Sequence, residues 1–338
     1  MEHSPQTPRS RSWLVKTIAV VFVMYALVIL ALMWWWDYEP PHFDVEKTAE
    51  ARVAAKNEKL VAGSVTVSAL IGCAETLLDK RGGYLSNDKF PPGLLMDNVP
   101  NWEFGVLVAT RDLSDAMRNE FSRSQTQSTE DRDLKEAAPL FNSPNDRWLL
   151  PASERQYRKA IGFMDSYLTR LADADEHDAQ FFARADNLSD YLQTVSTRLG
   201  SLSQRLSASV GQERIDTDLA GDANAQQSTP TTSPRLVKTP WTQLDDNFYE
   251  ARGYTWALRE QLEAIRADFG PVLRDKNAMV SLDQVIRELH ESQNPLGSPM
   301  VLNGTPFGFF ANHSLVMANY ISRANAAVID LRELLRRG

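Results

Sequence analysis

An apolar run near the amino terminus, residues Thr17 to Trp36, constrains this chain more than any other feature. The run carries no charged residue, and a helix rising about 1.5 Å per residue over this length spans a hydrocarbon core of about 30 Å. The basic residues before the run are Arg9, Arg11 and Lys16, and the aromatic residues that end it are Trp34, Trp35 and Trp36. Tryptophan is typical of the membrane–water interface, so the sequence predicts a transmembrane helix with an aromatic belt.

The charges on either side of the run predict its orientation. Basic residues precede it, whereas Asp37 and Glu39 follow it. The positive-inside rule therefore predicts a cytoplasmic tail over residues 1–16, a single-pass anchor over 17–36, and all later residues on the far side of the membrane. A cleaved signal peptide is the alternative, but its apolar region is only about 7–15 residues long and ends in small residues.

The net charge limits the classes of partner that the chain can bind, and the cysteine content limits the bonds that can stabilise its fold. The whole chain has a net charge of −8; residues 1–36 contribute +2, so the rest carries −10. An acidic exported region argues against nucleic acid, which binds basic surfaces. A single cysteine excludes an intramolecular disulfide, so packing must stabilise the fold.

Apolar residues recur at helical spacing along nearly all of the exported region, which predicts a mostly α fold. We expect a helical bundle with ordered aromatic loops over residues 44–206, on the far side of the membrane. Residues 207–239 are rich in Ser, Thr, Gln, Gly, Asp and Pro, and this composition predicts a flexible linker. Residues 240–338 are predicted to form further helices that pack on the same bundle, the last of them capped by Asn312.

Two segments show apolar residues spaced alternately by three and four, as in coiled-coil seams. The first seam comprises Ala185, Leu188, Leu192, Val195, Leu199, Leu202 and Leu206, and the second comprises Leu244, Phe248, Ala251, Thr255, Leu258, Leu262, Ile265 and Phe269. Two such helices joined by a linker most simply pair as a long antiparallel hairpin. The alternatives are a projecting coiled coil and an ordinary helix pair within the bundle.

Several polar and aromatic motifs carry a family resemblance. They are Gly82-Gly83-Tyr84-Leu85-Ser86-Asn87-Asp88, Pro100-Asn101-Trp102-Glu103-Phe104-Gly105, Phe121-Ser122-Arg123-Ser124-Gln125 and Asn312-His313-Ser314-Leu315-Val316-Met317-Ala318-Asn319-Tyr320. On these motifs the chain resembles, over nearly its whole length, an uncharacterised proteobacterial family of single-pass inner-membrane proteins filed as a domain of unknown function. The resemblance implies a Gram-negative inner-membrane protein and supplies no activity, cofactor or catalytic residue.

The aromatic residues in and beside the Gly/Pro-rich loops are the best candidates for binding a partner, since aromatic side chains anchor many interfaces. The candidates are Tyr84, Trp102, Phe104, Trp148, Phe309 and Phe310. The preferred alternative is that loop aromatics plug the ends of the bundle.

Glu103 is the one candidate catalytic residue. It lies between Trp102 and Phe104, and enzymes that cut glycan strands need a protonated carboxylic acid in a partly apolar cleft. The preferred interpretation is structural, because a carboxylate at the start of a helix is favourable there and an acid without a partner carboxylate is weak support for catalysis.

No pattern predicts a metal or cofactor. The five histidines are scattered, and the acidic segment Asp173 to Asp178 lacks the glycine turn and distant glutamate of a calcium-binding EF-hand. We therefore interpret that segment as a solvated turn between helices.

Three hypotheses follow from the sequence, the weakest of which is a sensor that passes a signal through a partner membrane protein. The preferred one is an inner-membrane-anchored periplasmic protein that binds or scaffolds another envelope component and is not an enzyme. The alternative is a peptidoglycan-acting envelope enzyme with Glu103 as its acid. The sequence predicts lipid contact through residues 17–36 but does not identify a protein partner.

Overall fold

The computed structural model of the protein describes residues 9–124, 129–173, 178–214, 235–298 and 300–337. Part of the predicted cytoplasmic tail, most of the predicted linker and residues 174–177 of the acidic segment lie outside the described residues. The described elements are α1 (Arg9–Trp36), α2 (Val45–Ala54), α3 (Ser64–Asp79), α4 (Asn98–Ala116), α5 (Arg132–Phe141), α6 (Ser153–Ala172), α7 (Ala185–Ser207), β1 (Gln212–Arg214), β2 (Arg235–Val237), α8 (Leu244–Asp268), α9 (Gly270–Asp275), α10 (Met279–Glu291) and α11 (His313–Arg336). The predicted mostly α fold is confirmed.

The helix α1 differs from the others because its apolar residues face solvent. Within the described residues, Trp13–Trp36 is the helix long and apolar enough to cross a membrane by length and composition, with a mean hydropathy of 2.6. No part of its most apolar window is buried against the rest of the protein. A helix that is apolar on all sides and unburied has no counterpart surface within this chain.

From α3 onward the long helices alternate in direction, so their connections collect at two ends of the bundle. Ion pairs and hydrogen bonds show this alternation, for example Arg158 near the start of α6 with Asp79 at the end of α3, and Lys276 with Arg337. We call one end the α1 end; it carries residues 37–44, 80–97, 142–152 and 292–312 and the described parts of the α7–α8 connection. The opposite end carries residues 55–63, 269–278 and the described parts of 117–131 and 173–184.

The long antiparallel pair in the bundle is α7 with α11. Ser196 donates a hydrogen bond to Asn325 at 2.8 Å, and near the other end Arg332 donates to the carbonyl oxygen of Ser189 at 3.1 Å. The two seam helices form an ordinary antiparallel pair within the bundle, and each packs more closely on another helix, α7 on α11 and α8 on α4. The helix α7 runs antiparallel to α8, with the Tyr191 hydroxyl donating to Gln261 near one end and Arg205 pairing with Glu250 near the other, but their backbones approach less closely.

The helices α4 and α8 run parallel and approach each other at two glycines. Phe121, just after α4, lies 5.2 Å from Phe269 at the end of α8, measured between ring centroids. Nearer their starts, a methyl group added at Gly105 would lie 2.1 Å from the carbonyl oxygen of Glu250. One added at Gly253 would lie 1.9 Å from the carbonyl oxygen of Trp102. Only glycine fits at these two positions, so the crossing depends on them.

The connection between α7 and α8 begins and ends with a short antiparallel ladder. Gln212 pairs with Val237 and Arg214 pairs with Arg235. Three-residue strands are too short for alternation to reveal in a sequence. The ladder brings residues 212–214 and 235–237, the described margins of the connection, together at the α1 end.

Candidate functional site

The segment that follows α1 is fastened to the bundle by its side chains. Half-buried Trp36 packs over Gly82, where a methyl group would come within 2.7 Å of the indole ring. Two residues later, the guanidinium of Arg81 lies 3.9 Å from the centre of the Tyr38 ring, a cation–π contact. The junction between α1 and the bundle is therefore packed from its first residues, and it is the best-defined site at the α1 end.

Arg252 on α8 is the centre of this junction. Its side chain is only 4% exposed, and its Nε donates to Glu39 Oε1 at 2.6 Å. The same guanidinium donates to the carbonyl oxygens of Ser292 at 3.2 Å and Asn294 at 3.0 Å, just after α10. A buried arginine needs such partners, since an unpaired buried charge is strongly unfavourable. Arg252 thus holds the segment after α1, the helix α8 and the end of α10 together.

A second contact joins His42 to Glu260, also on α8. The Nδ1 atom of His42 and Oε1 of Glu260 share a hydrogen bond, and the imidazole stacks on Trp256 with ring centroids 5.8 Å apart. Burial lowers the pKa of His42 to about 4 and raises the pKa of Glu260 to about 7. Both shifts favour the uncharged forms of the two groups, and Arg259 donates to the same carboxyl oxygen at 3.1 Å.

A cavity of about 350 Å³ opens beside the junction. Its lining includes Asp37, Glu39, Trp102, Tyr249, Arg252 and Leu296. The loop residues Pro295 and Leu296 also line a neighbouring cavity of about 160 Å³ on the side of His313. Because Arg252 and Glu39 already bind each other, the polar groups in the larger cavity act as structural contacts between α1 and the loop at residues 294–298.

Glu103 is buried and fully engaged by donors. Its side chain is 0% exposed; Oε1 accepts from the backbone N–H of Leu85 at 2.8 Å and Oε2 accepts from that of Ser86 at 2.8 Å. Lys80, also buried, forms an ion pair with it. Burial raises the pKa of Glu103, whereas the Lys80 ammonium and the donors from the loop oppose that shift. This geometry is that of a clamp on the turn after α3, and it offers no open cleft for a glycan.

Two of the predicted partner-binding aromatics belong to the core. Trp102 is 2% exposed and stacks at an angle on Trp256, with centroids 5.3 Å apart. Tyr84 is 5% exposed and donates a hydrogen bond to the carbonyl oxygen of Asn145 at 2.9 Å. Phe104 is half-buried on α4. In this fold Trp102 and Tyr84 stabilise the α1 end from inside and present no surface to a partner.

The other predicted aromatics are exposed at the same end. Trp148 is half-exposed, Phe310 is more so, and Phe309 is 98% exposed. At the end of α1, Trp34 and Trp35 are exposed and Trp36 is half-buried. The structure therefore divides the predicted site residues into a buried set beneath the junction and an exposed set around it.

Sequence reasoning missed the residues that make the junction. Arg252 and Glu260 lie within the α8 seam, where a charged residue between apolar positions could have indicated a buried partner. Their partners Glu39 and His42 are more than 200 residues away in sequence, and no spacing rule connects them. The sequence reasoning also left out the exposed side chains of Leu149, Leu150 and Phe307.

The described residues contain no group of three or more His, Cys, Asp and Glu side chains that could hold a metal ion. The acidic segment is described only at its margins. There, the carbonyl oxygen of Asp178 accepts from Arg170 at 3.0 Å, and its carboxylate pairs with Arg132. These contacts tie Asp178 to the protein's own arginines.

Comparison with known proteins places the chain in a family without an assigned activity. The sequence model of the family described as "Uncharacterized protein conserved in bacteria (DUF2333)" matches residues 8–338. No curated protein and no solved structure matches the chain. The matched region includes α1 together with the whole bundle.

Proposed function

As the chain belongs to the DUF2333 family of bacterial proteins, we propose that it is an inner-membrane-anchored interaction or scaffold protein of the cell envelope. In this proposal α1 crosses the membrane once, with Lys16 on the cytoplasmic side and Asp37 and Glu39 on the periplasmic side. The bundle lies in the periplasm and binds another envelope component.

One observation carries the proposal. The exposed aromatic loops and the end of the apolar helix α1 lie at the same end of the bundle, where Trp36 packs over Gly82 in the loop that leads to Phe90. Soluble proteins seldom expose contiguous apolar surface without a binding role. The junction through Arg252 and His42 supports it further, because a packed junction holds these loops in a defined position relative to α1.

The orientation is tested by labelling from the periplasm. Val280, which is 78% exposed at the opposite end, is replaced by cysteine in the full chain. We expect a membrane-impermeant maleimide to label this cysteine in cells with a permeable outer membrane and an intact inner membrane. Native Cys73 is fully buried and serves as the internal control. Labelling only after the inner membrane is disrupted would place the bundle in the cytoplasm and contradict the proposal.

The interaction surface is tested by crosslinking in cells. A photoreactive amino acid is placed at position 309, with position 102 as the buried control and position 280 as the exposed control at the opposite end. We expect a reproducible adduct with an envelope component from position 309 and none from the other two. Equal yields from positions 309 and 280 would mean that the aromatic loops are not a binding surface.

A further inference from the structure

We propose that three uncharged loop tips at the α1 end insert into the lipid surface from which α1 emerges, so that the envelope component they bind is the periplasmic leaflet itself. The tips are residues 90–96, 148–152 and 300–311, called here the apolar tips. This inference rests on the proposed membrane anchoring and names the partner of the same aromatic surface.

The apolar tips contain no charged residue and hold most of the large exposed side chains outside α1. Their exposed members are Phe90, Leu94, Leu95, Trp148, Leu149, Leu150, Met300, Phe307, Phe309 and Phe310. Phe307 is fully exposed and Phe309 is 98% exposed. Burying each of these side chains would gain about 25 cal/mol per Å² of apolar surface, and this free energy is not gained while the side chain is in water. A surface built this way needs an apolar environment.

Contacts on both sides of the chain segment after α1 place the apolar tips around its exit. Phe90 and Trp148 touch edge to face with centroids 6.3 Å apart, which joins the first two tips. The loop that carries the first tip also holds Gly82, over which Trp36 packs. The residues leading to the third tip, Pro295 and Leu296, line the cavity that Asp37 to Glu39 also line.

The helix α1 itself supports this placement. Most of its side chains are more than half exposed, but Ile29, Met33 and Trp36, which share one face, are only partly exposed. In the last turn of α1, Trp36 is covered on one side by Gly82, in the loop that carries the first tip. Since α1 is the membrane-spanning segment, chain that covers its last turns lies at the depth of the interface.

Charged residues stand at the edges of two tips rather than within them. Lys89 precedes Phe90 and Arg147 precedes Trp148, and all four side chains are exposed. A cation beside an aromatic ring is the arrangement that favours the lipid interface, where the ring enters the acyl boundary and the cation stays with the headgroups. A protein-binding surface would more often carry a polar rim with hydrogen-bonding side chains around its apolar centre.

The experiment measures the depth of a tip in a bilayer of known composition. The full chain with Phe309→Cys is labelled with a polarity-sensitive fluorophore and reconstituted in liposomes of phosphatidylethanolamine and phosphatidylglycerol. The matched control is Val280→Cys, and Leu95→Cys reports a second tip. Labels at 309 and 95 are expected to emit at shorter wavelength than the label at 280. Lipids that carry a spin label in the upper acyl chain are expected to quench most of their fluorescence, whereas iodide in the aqueous phase is expected to quench little of it. The label at 280 is expected to show the reverse.

The other outcomes separate the two proposals. Labels at 309 and 95 that iodide reaches in liposomes, but not in native membranes, would indicate a protein partner; lipid insertion would then be overturned and the interaction surface retained. Labels that iodide reaches in both preparations would overturn both lipid insertion and the interaction surface. A chain that fails to enter liposomes at all would contradict the membrane anchor.

Discussion

The two ends of the bundle have similar buried ion pairs but different exposed loops. Each end holds a buried arginine that joins separate segments: Arg252 binds Glu39 at the α1 end, and Arg170 binds Asp131 and Asp133 at the opposite end. Outside, the α1 end exposes uncharged aromatic loops, whereas the described connections at the opposite end are rich in charged residues. The comparison teaches that internal ion pairs fix the helices at both ends, while the composition of the exposed loops decides what each end can bind.

The largest effect is expected where a buried charge at the α1 end loses its partner. Glu103→Gln leaves the Lys80 ammonium buried without a counter-charge, so we expect the free energy of unfolding to fall by about 3–5 kcal/mol. Asp283→Asn, which breaks the exposed pair with Arg266 on the other side of the bundle, is expected to cost less than about 1 kcal/mol. Urea denaturation of the full chain in detergent measures both. If both substitutions lower the free energy of unfolding by similarly small amounts, Glu103 does not hold the loop after α3 in place.

A smaller loss is expected at the glycine crossing of α4 and α8. Gly253→Ala drives a methyl group into the backbone of Trp102 and is expected to destabilise the protein by about 1–3 kcal/mol. Gly162→Ala on α6 is the control, since no atom lies within 4 Å of the added methyl group. That change is expected to raise the melting temperature, because alanine lowers the entropy of the unfolded chain. A neutral result at 253 would contradict the close crossing.

The opposed pKa shifts of His42 and Glu260 are expected to change the pH dependence of stability only when one of the two residues is replaced. Folding raises the pKa of Glu260 from 4.5 to about 7, so its contribution to stability falls as pH rises through that window. Folding lowers the pKa of His42 from 6.5 to about 4, so its contribution rises with pH over that window. The two slopes oppose each other between pH 4.5 and 6.5, and the intact pair makes little net contribution to the pH dependence of stability there.

Single substitutions separate the contributions of His42 and Glu260 to the pH dependence of stability. In His42→Gln, the urea concentration at the unfolding midpoint is expected to decrease as the pH is raised from 4.5 to 6.5, because the contribution of Glu260 is no longer opposed by that of His42. In Glu260→Gln, the midpoint is expected to rise over the same range. If both variants show the same direction of change, the pair does not share a proton as the structure indicates.

The smallest effects on stability are expected at the exposed residues that distinguish the two ends. Phe309→Ser and Val280→Ser are each expected to change the free energy of unfolding by no more than about 0.5 kcal/mol, because neither side chain packs in the core. Urea denaturation in detergent checks both. A large loss for Phe309→Ser alone would show that the third tip supports the bundle rather than serving a surface.

Much of the local structure was predictable, because it depends on neighbouring residues. The helical spacing identified α7 and α8, and all but the first residue of each seam is buried. The N-cap of α11 was predicted correctly, since the Asn312 side chain accepts from the backbone N–H of Leu315 at 2.9 Å. What a seam does not encode is its partner: it shows which face is buried, but α7 and α8 bury theirs mainly against α11 and α4.

The candidate site was predictable only in part for a related reason. A loop rich in Pro, Gly and aromatic residues can be buried or exposed, and Trp102 and Phe309 have the same local signature with opposite outcomes. Trp102 is buried because the first turn of α4 passes against Gly253, whereas Phe309 extends from a loop fixed mainly at its base, where Leu302 and His313 bond to each other. Both outcomes depend on tertiary contacts.

The alternation of helix direction has a practical consequence for work on this protein. The helix α11 carries the chain from the α1 end to the opposite end, where Lys276 donates to the carbonyl oxygen of Arg337. With 24 residues, α11 is about 36 Å long. A reporter or affinity tag fused after Arg337 would therefore project from the end remote from α1 and leave the α1 end unobstructed. This position is the preferred attachment point for immobilising or imaging the full chain.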